Sequence, residues 1–172
     1  MLQSVLHWRD PEARALRGLA RANVPARTKR PLDALQQLAG LAKELTSATY
    51  GAVVVIDERD NVEGFVVSGL SKDQERRLKS APLGHGSLGS MRQDGLAVRI
   101  DDLAGHQKAF GFPPKHPEMK TLLGVPLDVE GDLRGALYVA DRDGGNPFRE
   151  ADEVVLQVLA RHAGRVIGSS WY

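Results

Sequence analysis

The chain has 172 residues, of which 42% are hydrophobic, and this length and composition fit one domain with one core. It contains no cysteine, which excludes disulfides, thiolate metal sites, cysteine nucleophiles and chromophores attached through a thioether. No apolar run approaches the roughly 20 residues of a membrane-spanning helix, and the N-terminus lacks the apolar stretch of a signal peptide, so we expect a cytoplasmic protein without a membrane partner.

The first 30 residues are strongly basic, although the net charge of the whole chain is only +1. They contain seven basic side chains and two acidic ones. Residues 11–23 are predicted to form a short amphipathic helix, because proline is favoured at a helix start and Leu16 and Leu19 lie three residues apart. We therefore divide the chain into a basic N-terminal helical arm, residues 1–30, and a domain, residues 31–170. The arm lacks interleaved aromatic residues, which favours a solvated arm over one that binds nucleic acid.

The first half of the domain is predicted to form a helix and a hairpin. Apolar residues recur at intervals of three and four over residues 32–45, which marks the buried face of a helix. Residues 51–57 are mostly β-branched, and a polar turn separates them from a second stretch of this kind, residues 62–68. A short helix over residues 71–78 and a glycine-rich stretch follow.

The second half is predicted to form three strands and a helix. Residues 96–100 give one strand, and residues 122–129 and 133–140 form a second hairpin. The last helix covers residues 151–168. Strands joined by short turns pair antiparallel, and the flanking helices need an apolar sheet face to cover. The fold class is therefore α+β with a central antiparallel sheet.

A loop of about 20 residues separates the third and fourth predicted strands, and loops of this length in a small domain are usually functional or disordered. Its apolar side chains, which include Phe112 and Met119, argue against disorder. Three prolines restrict the backbone around His116. A neutral imidazole held in this way suits a metal ion or haem iron. The alternative is a histidine that caps a turn or bonds to the backbone.

Three segments of the chain resemble a known family. They are residues 99–103 (RIDDL), 111–127 (GFPPKHPEMKTLLGVPL) and 135–142 (GALYVADR). They are similar to the GAF domains of actinobacterial oxygen- and redox-sensing histidine kinases, and the resemblance extends over residues 32–168. It implies a GAF fold, with a central antiparallel sheet of five or six strands and flanking helices.

The resemblance also implies a cofactor. In haem-binding members of this family the histidine of the loop is the proximal iron ligand, and the matching residue is His116, which is also the implied metal ligand. Tyr138 matches a tyrosine on the distal side of the haem, and Phe65 matches a phenylalanine that contacts the porphyrin. The other side chains implied at the cofactor are Val54, Leu88, Met91, Phe112 and Met119. The implied group is non-covalent b-type haem that binds O₂, NO or CO.

Two further features are interpreted as structural. Asp141-Arg142, Phe148 and Asp152-Glu153 resemble a pattern of cyclic-nucleotide GAF domains. We interpret it as a basic residue bonded to a carboxylate at the start of the last helix, with cyclic-nucleotide binding as a minor alternative. His162 lies on the apolar stripe of that helix, where helix packing explains it. Enzymatic turnover is not indicated, and the missing cysteines argue against the methionine sulfoxide reductase branch of GAF proteins.

The expected function is a haem-based gas or redox sensor module. A change at the iron would be passed to the first and last helices of the domain, which would also form a homodimer. The signal would then reach an output protein in trans. Two alternatives remain: a haem-free regulatory module that binds a small metabolite or an anion, and a scaffold whose helices only dimerise.

Overall fold

The computed structural model describes residues 10–77, 95–103 and 118–171. These residues form four helices and five strands. The helices are α1 (Pro11–Ala22), α2 (Pro31–Leu45), α3 (Lys72–Arg77) and α4 (Glu150–Ser170). The strands are β1 (Ala48–Ile56), β2 (Val62–Ser68), β3 (Val98–Ile100), β4 (Leu122–Val129) and β5 (Asp132–Arg142).

The five strands form one antiparallel sheet in the order β2-β1-β5-β4-β3. The predicted α+β class is therefore confirmed. The hairpin β4–β5 turns through Glu130 and Gly131, which both have positive φ, 53° and 91°. Two consecutive residues of this kind match the twist of antiparallel strands, and glycine adopts such a conformation without strain.

Alternation along the strands divides the core into two clusters. On one face, which we call the helix face, Val53, Val55, Leu137 and Val139 pack with the apolar stripes of α2 and α4. The opposite face, which we call the Tyr138 face, forms a second apolar cluster. Its buried members are Ala52, Val54, Ile56, Leu103, Met119, Leu122, Ala136, Tyr138 and Ala140.

The helix α1 packs against both α2 and α4. Ala15 is fully buried, and a Cβ on Gly18 would lie 3.1 Å from Leu45 Cδ1. Leu19 also packs on the core, whereas Leu16 is 53% exposed. The expectation of a solvated arm is therefore wrong, because α1 packs on the domain. Small side chains, and not a leucine stripe, allow α1 to approach α2 closely.

Candidate functional site

Four of the residues implied at the ligand site meet on the Tyr138 face. Val54 comes from β1, Phe65 from β2, Tyr138 from β5, and Met119 from the segment before β4. The register explains this, since Val54 lies opposite Phe65 and the side chains of paired residues point to the same face. The structure therefore brings together side chains that are far apart in the sequence.

Small residues occupy the centre of this face. Tyr138 lies opposite Ala52 on one neighbouring strand and opposite Gly124 on the other. Ala136 and Ala140 precede and follow Tyr138 on the same side of β5. The phenol ring is thus flanked by small residues on both neighbouring strands and along its own strand.

The same side chains are well shielded from solvent. Val54 is 0% exposed, Tyr138 2% and Met119 4%, and Phe65 is half-buried. The lining is almost entirely apolar, and the Tyr138 hydroxyl is a polar group within it. An environment of this kind suits an apolar ligand that is oriented by few polar contacts.

An open cleft of about 730 Å³ lies beside Phe65 at the edge of the sheet. It is lined along β2 and by polar side chains from two helices, and Gln36 Nε2 donates to the carbonyl oxygen of Val67 at 2.8 Å. The helical residues at the cleft are Gln36, Lys72, Glu75 and Arg76. No sequence pattern indicated these side chains, because their approach to β2 depends on the packing of α2 and α3.

The remaining implied site residues lie outside the described residues. They are Leu88, Met91, Phe112 and His116, the implied iron ligand. Within residues 10–77, 95–103 and 118–171, no three histidine, aspartate or glutamate side chains converge as a metal site. The implied haem contacts that the structure describes are therefore Val54, Phe65, Met119 and Tyr138.

Asp141 braces the start of β4, and sequence reasoning missed this role. Its Oδ1 accepts hydrogen bonds from the backbone N–H groups of Lys120 and Thr121, at 2.6 and 3.1 Å. On the other side of the same segment, the N–H of Leu103 donates to the carbonyl oxygen of Lys120 at 2.7 Å. The backbone next to Met119 is thus bound from two directions.

A second buried carboxylate, Asp152, lies at the start of α4. It is 0% exposed, and its Oδ2 accepts from the backbone N–H of Arg149 at 2.8 Å and lies 3.9 Å from Arg142 Nε. The predicted pairing of Arg142 with this carboxylate is confirmed. Arg149, which the sequence did not indicate, is closer, with Nη2 3.2 Å from Asp152 Oδ1. Hydrogen bonding to Asp152 and its charge raise the pKa of Arg149.

His162 belongs to the helix layer, as its place on the apolar stripe predicts. Its Nε2 lies 3.0 Å from the carbonyl oxygen of Val24, in the segment that joins α1 to α2. Burial lowers the pKa of His162, and the hydrogen bond to Val24 opposes this effect, while the charge of Arg165 adds to it. The imidazole is therefore a neutral link between α4 and the N-terminal segment near pH 7.

Comparisons with known proteins identify the fold. The chain is similar to the GAF domain of an Acinetobacter phosphoenolpyruvate-protein phosphotransferase, with a TM-score of 0.67 and 19% identity over 90% of each chain. It is also similar to the free methionine-R-sulfoxide reductase of Neisseria meningitidis, solved with its substrate, with a TM-score of 0.65, 18% identity, and coverage of 97% of this chain and 92% of that one. At these identities the likeness shows the fold alone.

A curated relative matches over a shorter stretch. The protein transport protein sec31 of Aspergillus clavatus is 28% identical over 118 residues, or 68% of this chain. The chain spans only 8% of the length of that relative.

None of the described helices is long and apolar enough to cross a membrane.

The family model described as the GAF domain matches residues 28–168. This range contains α2, α3, all five strands of the sheet and all but the last two residues of α4. The chain belongs to the GAF family of ligand-binding sensory and regulatory domains.

Proposed function

We propose that the chain is a non-enzymatic regulatory domain that binds a small-molecule ligand on the Tyr138 face. The observation that carries the proposal is the meeting of Val54, Phe65, Met119 and Tyr138 on this face. The opposite face offers no comparable floor among the described residues, because α2 and α4 fill it. Small residues, Ala52 and Gly124, flank Tyr138 on the two neighbouring strands, so a ligand on this face would contact the phenol ring.

The first ligand that we propose is b-type haem, with His116 as its axial ligand. The sequence of residues 111–127 supports the ligand, and the common face of Phe65 and Tyr138 supports the place. The apolar lining matches the body of a porphyrin in polarity. When bound, the iron would supply a coordination site for O₂, NO or CO. Val54, Phe65 and Met119 would exclude water, and the phenol ring of Tyr138 would lie beside the bound group.

Reconstitution with hemin tests this proposal. We expect the purified protein to give an intense Soret band, which weakens or shifts in His116→Ala. The matched control is His162→Ala, which removes an imidazole that bonds to Val24 on the helix face. This variant should keep the band unchanged. The absence of a Soret band in the wild-type protein, or an equal loss of the band in both variants, would contradict the haem proposal.

The second candidate is a haem-free domain that binds a smaller metabolite or an anion on the same face. The burial of Val54 and Tyr138, 0% and 2% exposed, favours it, because so compact a lining suits a ligand smaller than a porphyrin. We expect one compound of a metabolite panel to raise the melting temperature, since binding to the native state stabilises it. Ala140→Val, which narrows the floor, should abolish that rise. A protein that responds neither to hemin nor to any compound of the panel would favour the dimerisation scaffold instead.

The response would pass to α2 and α4, which pack on the back of the strands that line the ligand. We propose that a homodimer forms through these helices and that an output protein in the cytoplasm reads it. Because α1 already packs on both helices, the dimer would have to form beside α1. Sedimentation analysis tests this, and a monomer at high protein concentration argues against it.

A further inference from the structure

We propose that Asp141 is a positioning residue of the ligand site, which holds Met119 on the Tyr138 face by fixing the start of β4. The inference rests on the proposed function, because that face is the site proposed above. Asp141 would act on this face through the backbone N–H groups of Lys120 and Thr121, which its carboxylate binds.

The carboxylate of Asp141 makes strong bonds. One oxygen, Oδ1, accepts from two successive N–H groups, at 2.6 Å from Lys120 N and 3.1 Å from Thr121 N. Hydrogen bonds to an ionised acceptor are roughly twice as strong as neutral ones. Asp141 is 8% exposed and Thr121 0%, so water competes little for these groups. The start of β4 is therefore tied to the end of β5.

The backbone of Asp141 extends this brace to a third strand. Its N–H donates to the carbonyl oxygen of Thr121 at 3.0 Å, and its carbonyl oxygen accepts from Thr49 Oγ1 at 3.0 Å. The φ of Asp141 is +58°, in the left-handed region that aspartate and asparagine tolerate better than most residues. Asparagine is thus the one replacement that keeps both the backbone conformation and an acceptor oxygen.

The brace acts on Met119 because Lys120 is held on its other side as well. The N–H of Leu103 donates to the carbonyl oxygen of Lys120 at 2.7 Å. Met119 and Leu103 are 4% and 0% exposed and share the apolar cluster of Tyr138. Met119 therefore lies next to a backbone unit with both its carbonyl and its N–H fixed, and its place on the face follows from these bonds.

The side chain of Arg142, the next residue, bonds away from the start of β4. Arg142 directs its guanidinium to the carbonyl oxygen of Pro147 at 2.7 Å and to Asp143 at 2.9 Å. The side chains of Asp141 and Arg142 thus bond to different parts of the fold, so we expect a change at Asp141 to leave the Arg142–Asp152 pairing in place.

The test follows Met119 directly. The chain has three methionines, Met1, Met91 and Met119, so ¹³C-methyl labelling gives three signals, and Met119→Leu assigns the one of interest. We expect Asp141→Gly, which permits the backbone conformation but removes the acceptor, to move the Met119 signal toward that of a solvent-exposed methionine. Asp141→Asn, which keeps an acceptor oxygen, should leave the Met119 signal at its wild-type position. Asp152→Asn is the matched control, because it changes a buried carboxylate on the helix side, and it should leave the signal in place.

The same variants are then titrated with hemin. The lost bonds predict a dissociation constant that is about tenfold higher for Asp141→Gly and near the wild-type value for Asp141→Asn. Thr49→Val, which removes only the bond to the Asp141 carbonyl, provides a milder change if Asp141→Gly does not fold, and it should move the Met119 signal in the same direction.

A Met119 signal that is unaffected by Asp141→Gly and Thr49→Val, or that moves as far in Asp152→Asn, overturns the positioning role. Tight hemin binding by a variant with a displaced Met119 signal also overturns it. If hemin fails to bind the wild-type protein while the Met119 signal still follows Asp141, the haem proposal fails and the positioning role is supported.

Discussion

Trp171 Nε1 donates a hydrogen bond to Glu63 Oε2 at 3.0 Å, so the end of α4 is attached to β2, an edge strand of the sheet. The indole ring covers Gly64, where an added Cβ would lie 2.6 Å from Trp171 Cη2. Phe65, the next residue, faces the other way and packs on the Tyr138 face. One strand therefore contacts the proposed ligand site on one side and the end of the last helix on the other.

Gly64→Ala should destabilise the protein because the new methyl group overlaps the Trp171 ring. Overpacking of this kind costs about 1–3 kcal/mol, and chemical denaturation measures the loss. Gly40→Ala is the control, because its Cβ would meet only Ser68 Oγ at 3.7 Å. In the background of Trp171→Ala, Gly64→Ala should cost less, because Leu32 Cδ2, at 3.2 Å, is then the remaining close neighbour of the added Cβ. A cost that is equally large without the indole ring contradicts this explanation.

Asp152→Ala should also destabilise the protein. The substitution removes the acceptor of the Arg149 N–H and leaves Arg142 without this carboxylate. Loss of a capping interaction costs about 0.5–2 kcal/mol, and we expect a melting temperature that is lower by several degrees for a domain of this size. Arg149→Ala should cost less, because this side chain is 57% exposed and an exposed ion pair contributes little. An equal loss in both variants would contradict this ranking.

His162 should make stability depend on pH. Its pKa is lowered in the folded protein, chiefly by burial, from an ordinary value of 6.5. The unfolded chain therefore binds the proton more readily, so the stabilisation is complete above about pH 6.5 and is lost as the pH falls toward the folded pKa. Val24 offers an acceptor to the ring and Arg165 a like charge. Denaturation from about pH 7 to about pH 5 should show a steeper loss of stability for the wild type than for His162→Gln. Parallel curves would exclude this contribution.

Gly18→Val should loosen α1 from the helix layer. A Cβ at this position already lies 3.1 Å from Leu45 Cδ1 and 3.2 Å from Leu41 Cδ1, so a larger side chain forces the helices apart. We expect faster proteolytic cleavage between α1 and α2 and an otherwise intact domain. Leu16→Ala is the control, since Leu16 is 53% exposed. If cleavage is equally fast in both variants, the close packing of Gly18 does not hold α1.

The sheet could be predicted because its strands carry local signals. The β-branched residues of β1 and the Glu130–Gly131 turn specify strand and hairpin without reference to the rest of the chain. Alternation also sets Val54 and Tyr138 on one side of their strands. Once the antiparallel register of β1 and β5 is known, it follows that these two residues lie on the same face of the sheet.

Other features depend on contacts between distant segments. The bond of Asp141 to Lys120 joins residues 21 positions apart, and no periodicity indicates it. The sequence pattern placed Leu16 on the buried face of α1, but Leu16 is exposed and Gly18 makes the close contact with α2. An amphipathic pattern describes one helix and not the surface against which it packs. The pairing of Arg149 with Asp152 was missed for a similar reason, since it depends on how the first turn of α4 places the two side chains.

The small residues around Tyr138 have a consequence for how such a domain can diversify. Ala52, Ala136 and Ala140 alternate with residues that belong to the helix face. Substitutions at these three positions would alter the size of the ligand that fits, while their neighbours keep the packing of α2 and α4. If the proposed ligand site is correct, the size of the ligand could therefore change at one buried position at a time, while the packing of α2 and α4 on the helix face is kept.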